Sequence, residues 1–580
     1  MLGLLHKHPT RNSGGGESAG LSFWQDFANA SSMADAARIG PVLDHSRGTN
    51  ATMFDNTGTL VFAPHNLILQ SEDLETTWTE SLVTVTAGAA ANPINGAIDA
   101  FQIDFTADTS AELFQSTTGS TVADTEYTFA VWLQVASGTE DIEIEFWDAG
   151  VGSQRAVKTV TTTWQQFSHT ATYGNGAGRV ISIENSSADV RTVYVYRPQL
   201  NRGSSVLDYN LTTTSAFYGP RFDHSPVSPF TSRGLLIEEA GTNICLQSEA
   251  ISTSPWIISA GNTTITANVG VAPDGNTTAD DMLHHDNNEN QIQSITAVDG
   301  AIYTISAFVK QGLTGSHDWV RMIWIDDSDR TNGFDAFFDL TTGNTGELDL
   351  QGVGGTAISS SMTDVGDGVF HIVMTGKIVA GQTDALFAFV NSENDGAANE
   401  EATNSVLWWG LEVKLGSFLD SYIPTTTAAV TRAADVVSGD ISAIVTPAMT
   451  LFFEGRTGFD AGVCMQLDDG TEDERFRLER NSSNEIHFIV TDGGTGLVDL
   501  NLGTVADNTD FKACISFALN NVKGIITGGT EQTDTGVTMP TVDTIRYGMD
   551  TSGDEFNAWI KEGKLWNVNK DSAFIAAQVA

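Results

Sequence analysis

Residues 66–78 read Asn-Leu-Ile-Leu-Gln-Ser-Glu-Asp-Leu-Glu-Thr-Thr-Trp, and residues 243–256 read Asn-Ile-Cys-Leu-Gln-Ser-Glu-Ala-Ile-Ser-Thr-Ser-Pro-Trp. Asn, Leu, Gln, Ser and Glu are identical within the first seven aligned positions, and the other two exchange one apolar residue for another. The copies lie 177 residues apart. That is far beyond the roughly 20–50-residue period of a solenoid or propeller, so the duplicated unit is a whole domain. Its middle and end recur as well. Tyr127-Thr-Phe-Ala-Val-Trp-Leu-Gln134 answers Tyr303-Thr-Ile-Ser-Ala-Phe-Val-Lys310, and Phe114-Gln115-Ser116 answers Ile292-Gln293-Ser294. Leu207-Asp208-Tyr209 before Thr212 is echoed by Leu419-Asp420-Ser421-Tyr422 before Thr425.

Within 141–148, alternation puts Ile142, Ile144 and Phe146 on one strand face and Asp141, Glu143, Glu145 and Trp147 on the other. Val320, Met322 and Trp324 fill the inner positions of the second copy. Short β-branched and aromatic runs between Gly, Asn and Asp clusters predict an all-β chain. The expected architecture is two tandem jelly-roll β-sandwiches followed by a lectin-like β-sandwich, since 580 residues exceed one hydrophobic core. A net charge of −45 argues against nucleic acid or an anionic membrane as partner. No apolar run reaches the roughly 18 residues of a membrane span. Cys245, Cys464 and Cys514 sit in apolar runs and read as buried thiols.

In chain order, 1–20 reads as a flexible, mildly basic attachment arm with His6, Lys7, His8 and Arg11. Residues 21–65 read as a connecting segment with a helical patch at 32–39. The first jelly roll spans 66–216. Pro220, Pro226 and Pro229 make 217–242 an extended linker. The second jelly roll spans 243–437 and the last sandwich 438–580. In the last, strands are expected at 449–454, 476–480, 486–491, 511–518, 522–527 and 560–566, with a hairpin turn at Asn520-Asn521 and a helix at 572–579.

The run Arg233-Gly-Leu-Leu-Ile-Glu-Glu-Ala-Gly-Thr-Asn243 resembles a recurrent module of tailed-bacteriophage tail-fibre and other virion proteins. So do Phe338-Asp339-Leu340, Val365-Gly-Asp-Gly368, Tyr422-Ile-Pro-Thr425 and Thr431-Arg-Ala-Ala-Asp435. The resemblance implies a carbohydrate-binding-module-like jelly roll. Residues 440–580, through Ile545-Arg-Tyr-Gly548 and Phe556-Asn557, resemble a concanavalin-A-like or laminin-G-like sandwich. The resemblance implies a virion structural protein, as tail fibre, spike or head fibre. Such a protein is made in the host cytoplasm without a signal peptide, binds other virion proteins through the N-terminal arm, and recognises a host-surface glycan or receptor. A homotrimer follows on the same analogy. A polysaccharide depolymerase and a plain decoration protein are the alternatives.

No catalytic motif of high specificity occurs, so no enzyme activity is expected. Asp141, Glu143 and Glu145 could serve a glycosidase, whose retaining chemistry needs two carboxyls about 5–5.5 Å apart, but they read as a solvated outer face. Trp147, and Trp408 in Leu407-Trp-Trp-Gly-Leu-Glu-Val413, are the candidate carbohydrate-binding residues. Leu407, Trp409, Leu411 and Val413 are assigned to the core face there and Trp408 to the outer one. His284-His285-Asp286 reads as a turn. No metal site or cofactor is expected. Asp326-Asp327-Ser328-Asp329 and Asp468-Asp469 with Glu472-Asp473-Glu474 are the only clusters that resemble Ca²⁺ ligands.

Overall fold

The computed structural model describes residues 21–28, 37–39, 43–258, 263–284, 290–315, 319–328, 330, 332–352, 355–378, 381–392, 394–396, 404–458 and 460–580. Among them is one helix, Ser572–Val579, N-capped by Asp571, which accepts the Phe574 amide at 2.8 Å. Everything else is strand and turn. No helix among the described residues is long and apolar enough to cross a membrane.

The first jelly roll pairs two five-stranded sheets. One runs Gly152–Thr161, Thr139–Asp148, Val180–Asn185, Glu112–Ser116, Thr79–Ser81. The other runs Gln165–Tyr173, Thr125–Gln134, Arg191–Arg202, Ile98–Phe105, Val83–Ala91. In the second jelly roll the sheets run Gly333–Asp339, Trp319–Asp326, Asp384–Ser392, Gln291–Thr296, Ile257–Ile258 and Phe370–Lys377, Tyr303–Gln311, Ser405–Leu415, Thr277–Leu283, Thr264–Val271. The order is the same strand for strand. The second copy adds two consecutive strands, Asn344–Gln351 and Thr356–Asp364, one at an edge of each sheet.

The duplicated motif builds this scaffold. Asn66 Oδ1 accepts the amides of Ile68 and Leu200, both at 3.1 Å; Asn243 Oδ1 accepts those of Cys245 at 3.0 Å and Val413 at 3.1 Å. Gln115 pairs with both backbone groups of Leu69, and Gln293 with those of Leu246. Ser71 meets Tyr209 OH at 2.7 Å and Ser248 meets Tyr422 OH at 2.8 Å. A buried polar group without such a partner would cost about 1–3 kcal/mol, which is why these residues recur together.

The C-terminal sandwich draws on three parts of the chain. Its larger sheet holds Ala448–Arg456, Asp510–Ala518, Asn521–Ile526, Gln532–Asp534 and Ala558–Trp566, but also Leu21–Asp26, Ala37–Ile39, Phe222–His224 and Ser232–Ile237. Asp44–Ser46 opens its second sheet beside Val436–Asp440. The expected linker 217–242 is therefore largely strand: Leu235 pairs with Ile560 and Phe222 with Leu235. Likewise 21–65 is more than a connection. Part of the helix expected at 32–39 is the strand Ala37–Ile39, and the rest lies outside the described residues. The attachment arm 1–20 also lies outside them. Leu21 pairs with Trp566, so the first described strand belongs to the C-terminal sandwich.

A buried ionic network locks these pieces together. Asp435 accepts from Arg47 at 2.8 Å, from Arg221, and from the His45 ring at 3.2 Å. Glu238 takes Arg221 and Arg432; Asp420 takes Arg432 at 2.8 Å and Lys414; Lys414 also meets Glu412 at 3.1 Å. Burial pushes the His45 pKa down against the pull of Asp435, while Arg221 and Arg47 hold Asp435 well below the usual carboxylate range although burial opposes them. All three cysteines are buried and free.

Candidate functional site

In the strand Thr139–Asp148, Ile142, Ile144 and Phe146 are fully buried in the core and Trp147 is 38% exposed on the outer face. Trp147 sits beside Val180 on one neighbouring strand and Ser153 on the other. Gly178, at φ 77°, lies against the ring edge, and a Cβ there would come within 3.3 Å of it. The indole forms one wall of a groove of about 360 Å³, lined also by Phe114, Ser182's neighbours Val180 and Glu184, and by Glu112, Glu145 and Arg155.

Arg155 organises the carboxylates. Its Nε donates to Glu145 Oε1 at 2.9 Å, and its guanidinium lies 3.1 Å from Glu184 Oε2 and 3.4 Å from Glu143 Oε2. Ser182 Oγ donates to Glu184 Oε1 at 2.7 Å. Side-chain oxygens of Glu112, Glu145 and Glu184 all lie within 4.8 Å of one another, the one such group of three among the described residues. Burial, reinforced by the neighbouring Glu145, pushes the Glu184 carboxyl up to about 8. Burial works against Glu145 as well, yet hydrogen bonds with Glu184, Ser153 and Arg155 bring it below its ordinary value. The pair thus holds one proton, kept on Glu184. Burial and the Glu145 charge raise Glu112.

A pH dependence follows. Between 4.5 and about 8 the folded chain retains a proton on Glu184 that the unfolded chain has released, so stability falls as the pH rises across that window. Glu145 acts the other way, and its contribution is lost only as the pH falls through its lowered folded value. Glu184→Gln is expected to lessen the decline, to which Glu249, Glu412 and Glu555, each raised by burial to about 7, also contribute. Thermal melts of variant and parent across the window should diverge in the variant's favour towards high pH, and parallel curves would contradict this.

The second jelly roll carries the same face with different chemistry. Matching the ladders places Ile292, Ile323, Ile325, Leu386 and Ala388 at the positions of Phe114, Glu145, Trp147, Val180 and Ser182, and Val390 at that of Glu184. Those five form a covered apolar cluster. The scaffold does not need carboxylates or an open indole here.

Trp408 is placed otherwise than expected. It is fully buried in the second core, with its ring 4.2 Å from that of Phe389. The ladder slips between Ser306/Glu412 and Phe308/Trp409, where Gly410 takes φ 62°. This bulge inserts one residue, so strict alternation from Leu411 backwards assigns Trp408 to the wrong face. Trp409 takes the outer side and is covered by Phe308 and Tyr422. Trp408 is no sugar platform.

The other clusters do not converge. Asp141 is spent on Thr159 Oγ1 at 2.7 Å. Asp326 accepts the amide and hydroxyl of Ser328, Asp327 the hydroxyl of Ser294, and Asp329 lies outside the described residues. Asp468 faces Arg546 at 2.9 Å, Glu472 faces Arg475, and Glu474 accepts the amides of Gly493 and Thr541. His284 is buried, and His285 and Asp286 lie outside the described residues. Glu112, Arg155 and Glu184 were absent from the sequence reading. A position-by-position comparison of the two copies would have flagged Glu184 against Val390.

No family model matches the chain, and no curated protein does. Among solved structures, the CBM22-1 xylan-binding domain from Paenibacillus barcinonensis Xyn10C is 15% identical, with 24% of this chain and 94% of that one covered at a TM-score of 0.21. The tandem CBM22-1-CBM22-2 domain of the same protein is 11% identical, covering 64% of this chain and 100% of that one at 0.21. Domains LG4-5 of the mouse laminin alpha1 chain are 12% identical, covering 49% and 85% at 0.17. At these TM-scores the likenesses carry no argument about this chain.

Proposed function

We propose that this chain is a non-catalytic glycan-recognition protein of a bacteriophage particle, binding a host-surface sugar in the groove around Trp147. The observation that carries this reading is the contrast between copies. In the second jelly roll the face is a buried apolar cluster around Ile323 and Ile325 beside one Arg321–Asp335 pair; in the first it is carboxylate-rich, grooved and walled by an open indole. An exposed indole with convergent polar groups suits the apolar face and hydroxyls of a sugar ring. The particle assignment rests on the resemblance of 233–435 to virion modules. In this reading residues 1–20 attach to other virion proteins and the chain assembles as a homotrimer. Light scattering of the purified chain should then give three times the mass of one chain, and a monomer mass would count against the trimer.

A glycan array with the intact chain tests the function: selective binding is expected, and no binding to any glycan would overturn it. A depolymerase is the second reading, favoured by Glu184 keeping its proton while Glu145 is ionised, the division of roles of an acid and a base. Against it, Glu145 Oε1 already accepts from Arg155 Nε and Glu184 Oε1 from Ser182 Oγ. Incubation with a bound polysaccharide is expected to release no reducing ends. Release that disappears in Glu145→Gln would establish the enzyme instead.

A further inference from the structure

The groove carries a charge pattern that discriminates among sugars. Three carboxylates, Glu143, Glu145 and Glu184, pair with one guanidinium, Arg155, and Glu112 lies with Glu145 and Glu184. Glu184 is only 3% exposed; its Oε1 accepts from Ser182 Oγ, and its Oε2 accepts no hydrogen bond and faces Arg155 Nη2 at 3.1 Å. An acceptor buried in this way is costly unless a donor reaches it. With oxygens of Glu112, Glu145 and Glu184 within 4.8 Å of one another, a single atom can sit within roughly 2.8 Å of all three, the length of a charge-assisted N–H···O bond. Ile323 and Val390 at the matching positions of the second copy show that folding does not require the cluster.

We propose that the groove selects a sugar bearing a protonated amine, a 2-amino-2-deoxyhexose unit without its N-acetyl group, whose ammonium lies among Glu112, Glu145 and Glu184 while its ring rests on Trp147. This rests on the groove being the glycan site. An ammonium offers three donors to three acceptors and is drawn to the indole face as well. An N-acetyl group brings no charge to offset the carboxylates, and a uronic or sialic acid adds another negative one. A bare divalent cation fits less well. Ca²⁺ requires about six to eight oxygens, and Arg155 beside the same carboxylates repels it twice as strongly as it repels a monovalent group.

The test is calorimetry on the intact chain with glucosamine oligomers, N-acetylglucosamine oligomers of the same length, and CaCl₂ alone. Each is titrated into the parent, Glu112→Gln and Trp147→Ala. The expected result is binding of the glucosamine oligomer at least tenfold tighter than its acetylated form, lost at least tenfold in Glu112→Gln, whose side chain is partly exposed and tolerates the change. Equal binding of both oligomers, or binding only of other glycans in a Trp147-dependent manner, would overturn amine selection and leave the glycan site standing. Binding of no sugar by array or calorimetry would overturn both. Ca²⁺ bound by the parent and lost in Glu112→Gln would make the cluster a metal site and overturn the proposal.

Discussion

Asp435→Asn is expected to lower the stability of the chain by about 3–5 kcal/mol, the cost of breaking a buried ion pair by removing one partner. Arg47 and Arg221 are fully buried and both converge on Asp435, so neither can turn to water when the charge is removed. The effect should be disproportionate because the partners come from three stretches of chain. Arg47 follows the strand Asp44–Ser46, Arg221 precedes Phe222–His224, and Asp435 ends the second jelly roll. Arg47 also donates to the Gly219 carbonyl at 2.9 Å, which ties in the end of the first jelly roll. Thermal unfolding should show the transition of the C-terminal sandwich moving down. Added salt should not rescue it, since screening acts poorly on buried charges. A shift within the roughly 0.5 kcal/mol range of surface substitutions would mean that the network is not what holds the pieces together.

Trp147→Ala is expected to weaken glycan binding at least tenfold, about 1.4 kcal/mol or more, without a comparable loss of stability. The indole is 38% exposed and lies outside the first core cluster, so truncation removes ligand contact and opens no interior cavity. Trp408→Ala provides the contrast: it would empty a core position, at a cost of about 3–5 kcal/mol in folding. A Trp147→Ala chain that melts like the parent and binds like the parent would place the sugar elsewhere.

These two sites show what the sequence discloses. The duplication was legible because Asn66 and Asn243, Gln115 and Gln293, and Ser71 and Ser248 each close the same local hydrogen bonds, and such residues cannot drift without leaving orphaned groups. The face of Trp147 was legible because Thr139–Asp148 alternates without interruption against both neighbours. The face of Trp408 was not, because the bulge at Gly410 breaks the two-residue period and nothing local announces it. The strands of the C-terminal sandwich at 448–456, 475–480, 485–492, 510–518 and 521–526 follow from their own patterns, and the hairpin turns at Leu519 and Asn520, the latter at φ 54°, one residue earlier than expected. Leu21–Asp26 and Ser232–Ile237 do not, since what defines them is pairing with Ala558–Trp566 hundreds of residues away. Pro220, Pro226 and Pro229 make 217–242 look like a linker for that reason.

The candidate site was half legible on the same grounds. Glu145 and Trp147 share one strand, whereas Glu112, Arg155 and Glu184 come from three others and meet only across the ladder. Asp141 and Glu143 looked equivalent to Glu145 in the sequence. Only Glu145 sits opposite both Arg155 and Ser182, and this decides which carboxylate is buried.

The central claim, that the first jelly roll presents a sugar-binding groove at Trp147, is tested most directly by a crystal structure of the intact chain with its best array glycan bound. The account predicts a sugar ring against the Trp147 indole, within hydrogen-bond reach of Glu112 or Arg155. A glycan bound on the second jelly roll or the C-terminal sandwich, with the Trp147 groove holding none, would contradict it.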